Sequence, residues 1–220
     1  VRRKLTGALL TLLALTVLGP GTAASQVSEL SELSEQDGSG RLLRLFDGRG
    51  LTGWSQAGPG GFDVVDGVLR SRDGMGLLWY SARQFADYEL RLQWRVSAPT
   101  DNSGVFLRFP DPGDDPWVAV NQGYEVQIND NPAGDPQKTG AIYNFQQPRT
   151  QASRPVGEWN DYRVRVIGQR YRVWLNGVLV NDFTSTDPAR GDRGHLGLQN
   201  HDPTTRAEFR HITVRELHRR

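Results

Sequence analysis

GYEVQIND, residues 123–130, is the stretch on which the fold turns. Tyr124, Val126 and Ile128 alternate with Glu125, Gln127 and Asn129. A period of two puts three large apolar side chains on one face of an extended strand and a carboxylate with two amides on the other. The first face is core. The second either meets bulk water or lines a site, and the rest of the chain bears on which.

Outward from this strand the texture repeats. Short apolar alternations fall at 62–65, 68–71, 77–80, 88–96, 104–109, 141–145, 160–167, 171–175, 178–183, 195–199 and 207–215, broken by Gly, Pro, Asn and Asp. Almost nothing from residue 42 onward has helical periodicity. Asp66-Gly67 and Asn176-Gly177 each join two such runs, and both dipeptides accept the positive φ angles of tight hairpin turns. Many short strands at this spacing predict one all-β domain over 42–217, a jelly-roll β-sandwich of two antiparallel sheets, with a tail at 218–220.

The N-terminal region has a different character. Arg2, Arg3 and Lys4 precede an apolar run over 8–18, and small residues Thr22, Ala23 and Ala24 follow, the layout of a cleavable export signal over 1–24. The run is well short of the ~20 residues a spanning helix needs, so no membrane span is expected in the mature form. Residues 25–41, polar and acidic, read as a flexible linker. The expected location is secreted or otherwise outside the cytoplasmic membrane. With no cysteine, disulfides and a lipid-modified cysteine are both excluded. The chain carries 26 basic and 25 acidic side chains. Setting the three N-terminal basic groups apart leaves 23 against 25, which offers no electrostatic footprint for nucleic acid.

Two strands have polar sides that read as ordinary solvated faces: Glu89, Arg91, Gln93 and Arg95 in 88–96, and Arg163 and Arg165 in 160–167. Three others carry chemically useful groups. Gly104, Phe106 and Arg108 share a side, as do Glu125 and Gln127, and Gly197, Gln199 and His201; Tyr143 joins them from 141–145. Arginine, carboxylate, amides, imidazole and aromatics on one sheet suit carbohydrate, because planar polar groups hold hydroxyls and rings meet C–H faces. Trp54, Trp159 and Trp174 are assigned to core packing, and Asn131 and Asp135 to turn chemistry.

LFDGRGLTGW (45–54), NSGVFLR (102–108), GYEVQIND (123–130), TGAIY (139–143), EWNDYRV (158–164), WLNG (174–177) and GHLGLQNH (194–201) together resemble the 3-keto-disaccharide hydrolase domain family, in family order and across nearly the whole domain. The resemblance implies a concanavalin A-like, laminin-G-like jelly roll acting on 3-keto-glycosides, with some relatives eliminating the aglycone before hydrating the product, sometimes with a divalent metal ion. It also implies an upstream sugar 3-dehydrogenase to make the ketone. A C3 ketone acidifies the C2 proton, so a base can form an enolate that expels the C1 substituent. In this casting Glu125 or His201 is the base. Arg108, or a metal held by Glu125 and His201, stabilises the enolate. Asn102, Gln127 and Gln199 hold hydroxyls, and Asp130, Lys138 and Tyr143 stand at the rim.

Two other readings stay open. A non-catalytic carbohydrate-binding module would use the same face without proton transfer. A retaining glucanase would need paired carboxylates about 5–5.5 Å apart, whereas Glu125 and Asp130 on a straight strand point to opposite faces with Cα atoms ~16 Å apart.

Overall fold

The computed structural model describes residues 40–133 and 135–218. The expected export signal and all but the end of the expected linker lie outside the described residues. Among those described, no helix is long and apolar enough to cross a membrane.

The strands are β1 (Leu42–Arg44), β2 (Trp54–Ala57), β3 (Gly61–Val65), β4 (Val68–Arg72) and β5 (Gly76–Tyr80). They continue with β6 (Tyr88–Val96), β7 (Asn102–Phe109), β8 (Tyr124–Asn129) and β9 (Asn160–Ile167). β10 (Arg170–Leu175), β11 (Val178–Thr184), β12 (His195–Asn200) and β13 (Ala207–Glu216) complete the set. One sheet runs β11-β10-β9-β6-β13-β4-β3, with β1 also on β13; the other runs β2-β5-β12-β7-β8, and all pairings are antiparallel. The result is the jelly-roll sandwich that the alternation predicts.

Both expected hairpins form. Asp66 and Gly67 sit at φ 50° and 79°, Asn176 and Gly177 at 51° and 85°, the left-handed values that tight two-residue turns require. Tyr124, Val126 and Ile128 enter a core shared by the two sheets with Leu90, Trp94, Tyr162 and Val164. The interior is apolar and continuous, which is how a chain without disulfides reaches stability by burial alone.

Local reading misses five features. β1 and β2 are too short to show a period. Residues 141–145 form a turn held by the bridges Val126↔Ile142 and Ile142↔Gln146 rather than a strand. One short helix, α1 (Trp117–Gln122), interrupts the run of strands. It packs through Ala119 on a second apolar cluster of Ala57, Leu77, Trp79, Phe106 and Phe109, outside the five-stranded sheet. Trp159 lies outside the core, with Arg95 and Arg210 stacked on its ring at 4.6 and 3.9 Å. Finally, Arg165 is no solvated charge; it is buried against Glu89, whose carboxylate takes its Nη2–H at 2.8 Å.

Candidate functional site

The polar face of β8 does not meet bulk water. Glu125, Gln127 and Asn129 are as buried as the core residues between them, at 4, 2 and 5 % exposure. Residues 139–143 lie along the strand and close it over. The Gln127 amide donates to the Ala141 carbonyl at 3.0 Å, the Gly140 amide to the Gln127 carbonyl at 2.9 Å, and the Tyr143 amide to the Glu125 carbonyl at 2.9 Å. This ladder sets Tyr143 beside Glu125. α1 packs over the other side of the same face.

Between them is a cavity of about 210 Å³ lined by Asn102, Glu125, Gln127, Tyr143, Gln199 and His201, together with Met75, Trp117, Val120 and Asp135. Its size is below the ~300–1,000 Å³ of sites for drug-sized ligands, so it suits one sugar ring rather than a chain. Buried Glu125, Gln127 and Gln199 make the floor, and exposed Trp117 and His201 make the mouth. A larger hollow of about 810 Å³ lies on the eight-stranded sheet. Its charged groups are satisfied within the protein: Arg91 pairs with Glu89, and Gln93 and Arg154 engage Asp161.

The small cavity is chemically unsatisfied. Oε1 of Glu125, Oδ1 of Asn102 and Oε1 of Gln199 are all buried without a hydrogen-bond partner. Leaving one such group unpaired costs about 1–3 kcal/mol, so three on one cavity wall mark a place built to receive donors or a cation. Burial, with the nearby charge of Asp135 adding to it, pushes the Glu125 carboxyl up to about 8. Tyr143 is also raised, by burial and then by the charges of Glu125 and Asp135.

Gly104 gives the carboxyl its room. It stands opposite Gln127 on β7, and a Cβ there would fall 2.0 Å from Glu125 Oε1. Gly104→Ala is therefore expected to displace the carboxylate and reduce turnover by about 10²-fold, with the circular-dichroism spectrum unchanged. Normal turnover in a folded variant would remove Glu125 from the chemistry.

His201 is oriented from below. Asp202 accepts from its Nδ1 at 3.0 Å, which leaves Nε2 for the cavity. Burial raises the Asp202 carboxyl, but hydrogen bonds from Thr204, His201 and Thr205 outweigh it and hold the group well below the usual carboxylate range. The pair was present in the sequence as His201-Asp202, but adjacency alone does not show that the rings and oxygens meet.

Arg108 requires correction. Alternation placed it with Gly104 and Phe106, yet β7 carries a bulge there: Phe109 pairs with His195 and Leu107 with Leu196, skipping Arg108, which sits at φ 56°. The extra residue turns Arg108 between the sheets. Its guanidinium donates to the carbonyls of Ala86 and Gly168 and to Asp87 Oδ1 at 3.3 Å. Phe109 takes the outer face instead, against Trp79 and Phe106. Gly194 permits the bulge, since a Cβ there would lie 2.4 Å from the Arg108 carbonyl carbon.

Asp130 and Lys138 also fall outside this cavity. Asp130 follows Ile128 on the core-facing side of the strand and opens on a different hollow. The Lys138 ammonium is held by the Asn131 carbonyl. With Glu125 and Asp130 on opposite sides of β8, the strand has no carboxylate pair for a retaining glucanase.

Sequence reasoning missed Met75, Trp117, Val120 and Asp135. None lies on a strand that alternation could orient, and Asp135 had every mark of a turn residue; its carboxylate does accept from the Gln137 amide. Asp135→Asn is expected to lower the midpoint of the Glu125 titration by a fraction of a unit, followed by carboxyl carbon NMR in chelator. An unmoved midpoint would leave burial as the sole cause.

The profile of the 3-keto-alpha-glucoside-1,2-lyase-like domain matches residues 43–215. A 3-keto-disaccharide hydrolase of Bacteroides thetaiotaomicron is 25% identical over 248 residues, covering 88% of this chain and 83% of that one. Two proteins of Parabacteroides distasonis, provisionally named as glycosyl hydrolases, have similar structures. One superposes with a TM-score of 0.69 at 22% identity, covering 85% of this chain and 97% of the other. The second gives 0.63 at 27% identity, covering 80% and 84%. A carbohydrate-binding module of Bacillus subtilis shares the fold at a TM-score of 0.51 and 18% identity, covering 74% and 96%.

Proposed function

The chain belongs to the 3-keto-alpha-glucoside-1,2-lyase-like family, and from that membership we propose that it cleaves 3-keto-glycosides by removing the C2 proton and expelling the C1 substituent. The observation that carries this reading is Glu125, a buried carboxyl raised to about 8 with one oxygen unpartnered at the floor of a ring-sized cavity. A base of that strength retains proton affinity yet is ionised in a useful fraction near neutral pH.

In this scheme Glu125 takes the proton from C2, and the C–H electron pair becomes the enolate. The enolate then re-forms the C3 ketone as the C1–O bond breaks. His201, as the imidazolium supported by Asp202, delivers a proton to the departing oxygen. Water adds at C1 of the unsaturated ketone and gives its second proton to the now neutral His201, restoring the imidazolium, while Glu125 returns its proton to C2. Elimination followed by hydration gives net hydrolysis, which reconciles a lyase-like family with a relative named as a hydrolase. The oxygens of Asn102 and Gln199 accept from sugar hydroxyls, and Gln127 lines the same floor.

With Arg108 committed elsewhere, the enolate oxygen needs another partner. Among the described residues, no three His, Cys, Asp or Glu side chains gather as a metal site. The unpartnered oxygens of Asn102, Glu125 and Gln199 with the His201 imidazole do form a mixed oxygen and nitrogen donor set that fits a divalent cation. As an alternative to the metal-free scheme, those four residues would hold it, with Glu125 ionised and His201 neutral as ligands rather than as base and acid. A bound ion would supply Lewis acidity to the developing enolate.

The leader-like residues 1–24 support action outside the cytoplasmic membrane, and the substrate chemistry requires a sugar 3-dehydrogenase upstream. The deciding experiment follows product formation from a 3-keto-glucoside and its unoxidised parent, with and without chelator. Cleavage of the keto compound alone is expected. Cleavage of the parent would overturn the enolate route, and cleavage of neither, across several aglycones and metals, would favour a binding module.

A further inference from the structure

Asp130 closes the strand motif, yet its carboxylate does no work in the cavity above β8. It opens instead on a hollow of about 410 Å³ at the end of the sandwich, lined by Trp94, Ser153, Pro155, Val156 and Glu158 among others. This hollow shares no lining residue with the Glu125 cavity, because the two lie on opposite faces of one strand.

Its polar groups are incomplete in a specific way. Trp94 is 1 % exposed, and its indole Nε1–H has no acceptor in the protein. Ser153 Oγ is likewise buried and unpartnered. An indole can only donate, so whatever completes Trp94 must supply a lone pair. At the exposed edge, Asp130 and Glu158 offer carboxylates, which call for donors. Two other lining groups are already engaged. Asp101 accepts from the amides of Ser97, Ala98 and Arg206, and Arg154 donates to the Trp159 carbonyl and pairs with Asp161.

The occupant must therefore accept in the depth, donate at the edge, carry no negative charge and present a C–H face to Pro155 and Val156. Vicinal hydroxyls on a ring do all four. We propose that the end of the sandwich is a second saccharide-binding site, for a neutral sugar ring, separate from the Glu125 cavity and independent of whether that cavity is catalytic.

The test is a titration of the full chain with D-glucose, trehalose and D-glucuronate, followed by the assigned Trp94 indole N–H resonance in nitrogen–proton NMR. Saturable movement with the neutral sugars at millimolar concentration is expected, with weaker response to glucuronate. Asp130→Asn and Ser153→Ala, both outside the core clusters, should each weaken the neutral-sugar response about fivefold, while Glu125→Gln leaves it in place. A resonance unmoved by about 50 mM of either neutral sugar, weaker than this chemistry allows, would mean a water-filled hollow and overturn the proposal. So would a response that both the Asp130 and Ser153 variants leave untouched, or one that Glu125→Gln abolishes.

Discussion

Glu125→Gln is expected to reduce turnover of a 3-keto-glycoside by about 10²–10⁴-fold and, at alkaline pH, to make the protein more stable. Both effects come from one buried carboxyl. The glutamine keeps the shape beside Gly104 but cannot take the C2 proton. In the folded wild type the group holds its proton up to about 8, whereas in the unfolded chain it releases it near its ordinary value of 4.5. The folded state therefore binds more protons between those values. The stability from this group is fully present below about 4.5 and is lost as pH rises through about 8. At about 1.4 kcal/mol per unit, the loss is at most about 5 kcal/mol. Urea melts in chelator at acid and alkaline pH should show the variant's advantage growing by a few kcal/mol as pH rises. A difference that does not change with pH would mean that Glu125 is ionised and solvated. The rate profile adds a sign: ionisation of Glu125 as base contributes a limb of kcat/KM that rises through about 8, and as acid it would contribute one that falls there.

Arg108→Met is expected to destabilise the domain by about 3–5 kcal/mol, because it leaves Asp87 and the carbonyls of Ala86 and Gly168 without the guanidinium that satisfies them. Arg108→Lys separates this structural role from a catalytic one. A lysine keeps the charge but not the planar fork that reaches several acceptors. It should lower the urea midpoint while kcat per folded molecule stays within a few-fold. Full stability with turnover lost by about 10³-fold would place the guanidinium on the substrate and sink the bulge argument.

Period-two alternation and the two hairpin dipeptides are local properties, set by sterics within a few residues, so the sandwich and most of its longer strands were legible in the sequence, whereas β1, β2 and the turn at 141–145 were not. So was the facing of Glu125 and Gln127 away from the core, and of Gln199 with them. The same rule failed at Arg108. A bulge is decided between strands, by the room Gly194 leaves and by the skipped partner on β12, and one inserted residue reverses every side chain beyond it. It failed again for Trp117 and Asp135, which reach the cavity from a short helix and a turn that carry no period.

What sequence alone determined was therefore which way the strand residues point wherever the strand runs without a bulge. What only the tertiary structure decided was what covers it. Glu125 is raised because residues 139–143 and α1 remove water from its face, and desolvation belongs to the packed assembly rather than to any stretch of chain. On opposite sides of one strand, Glu125 and Asp130 thus open on different cavities.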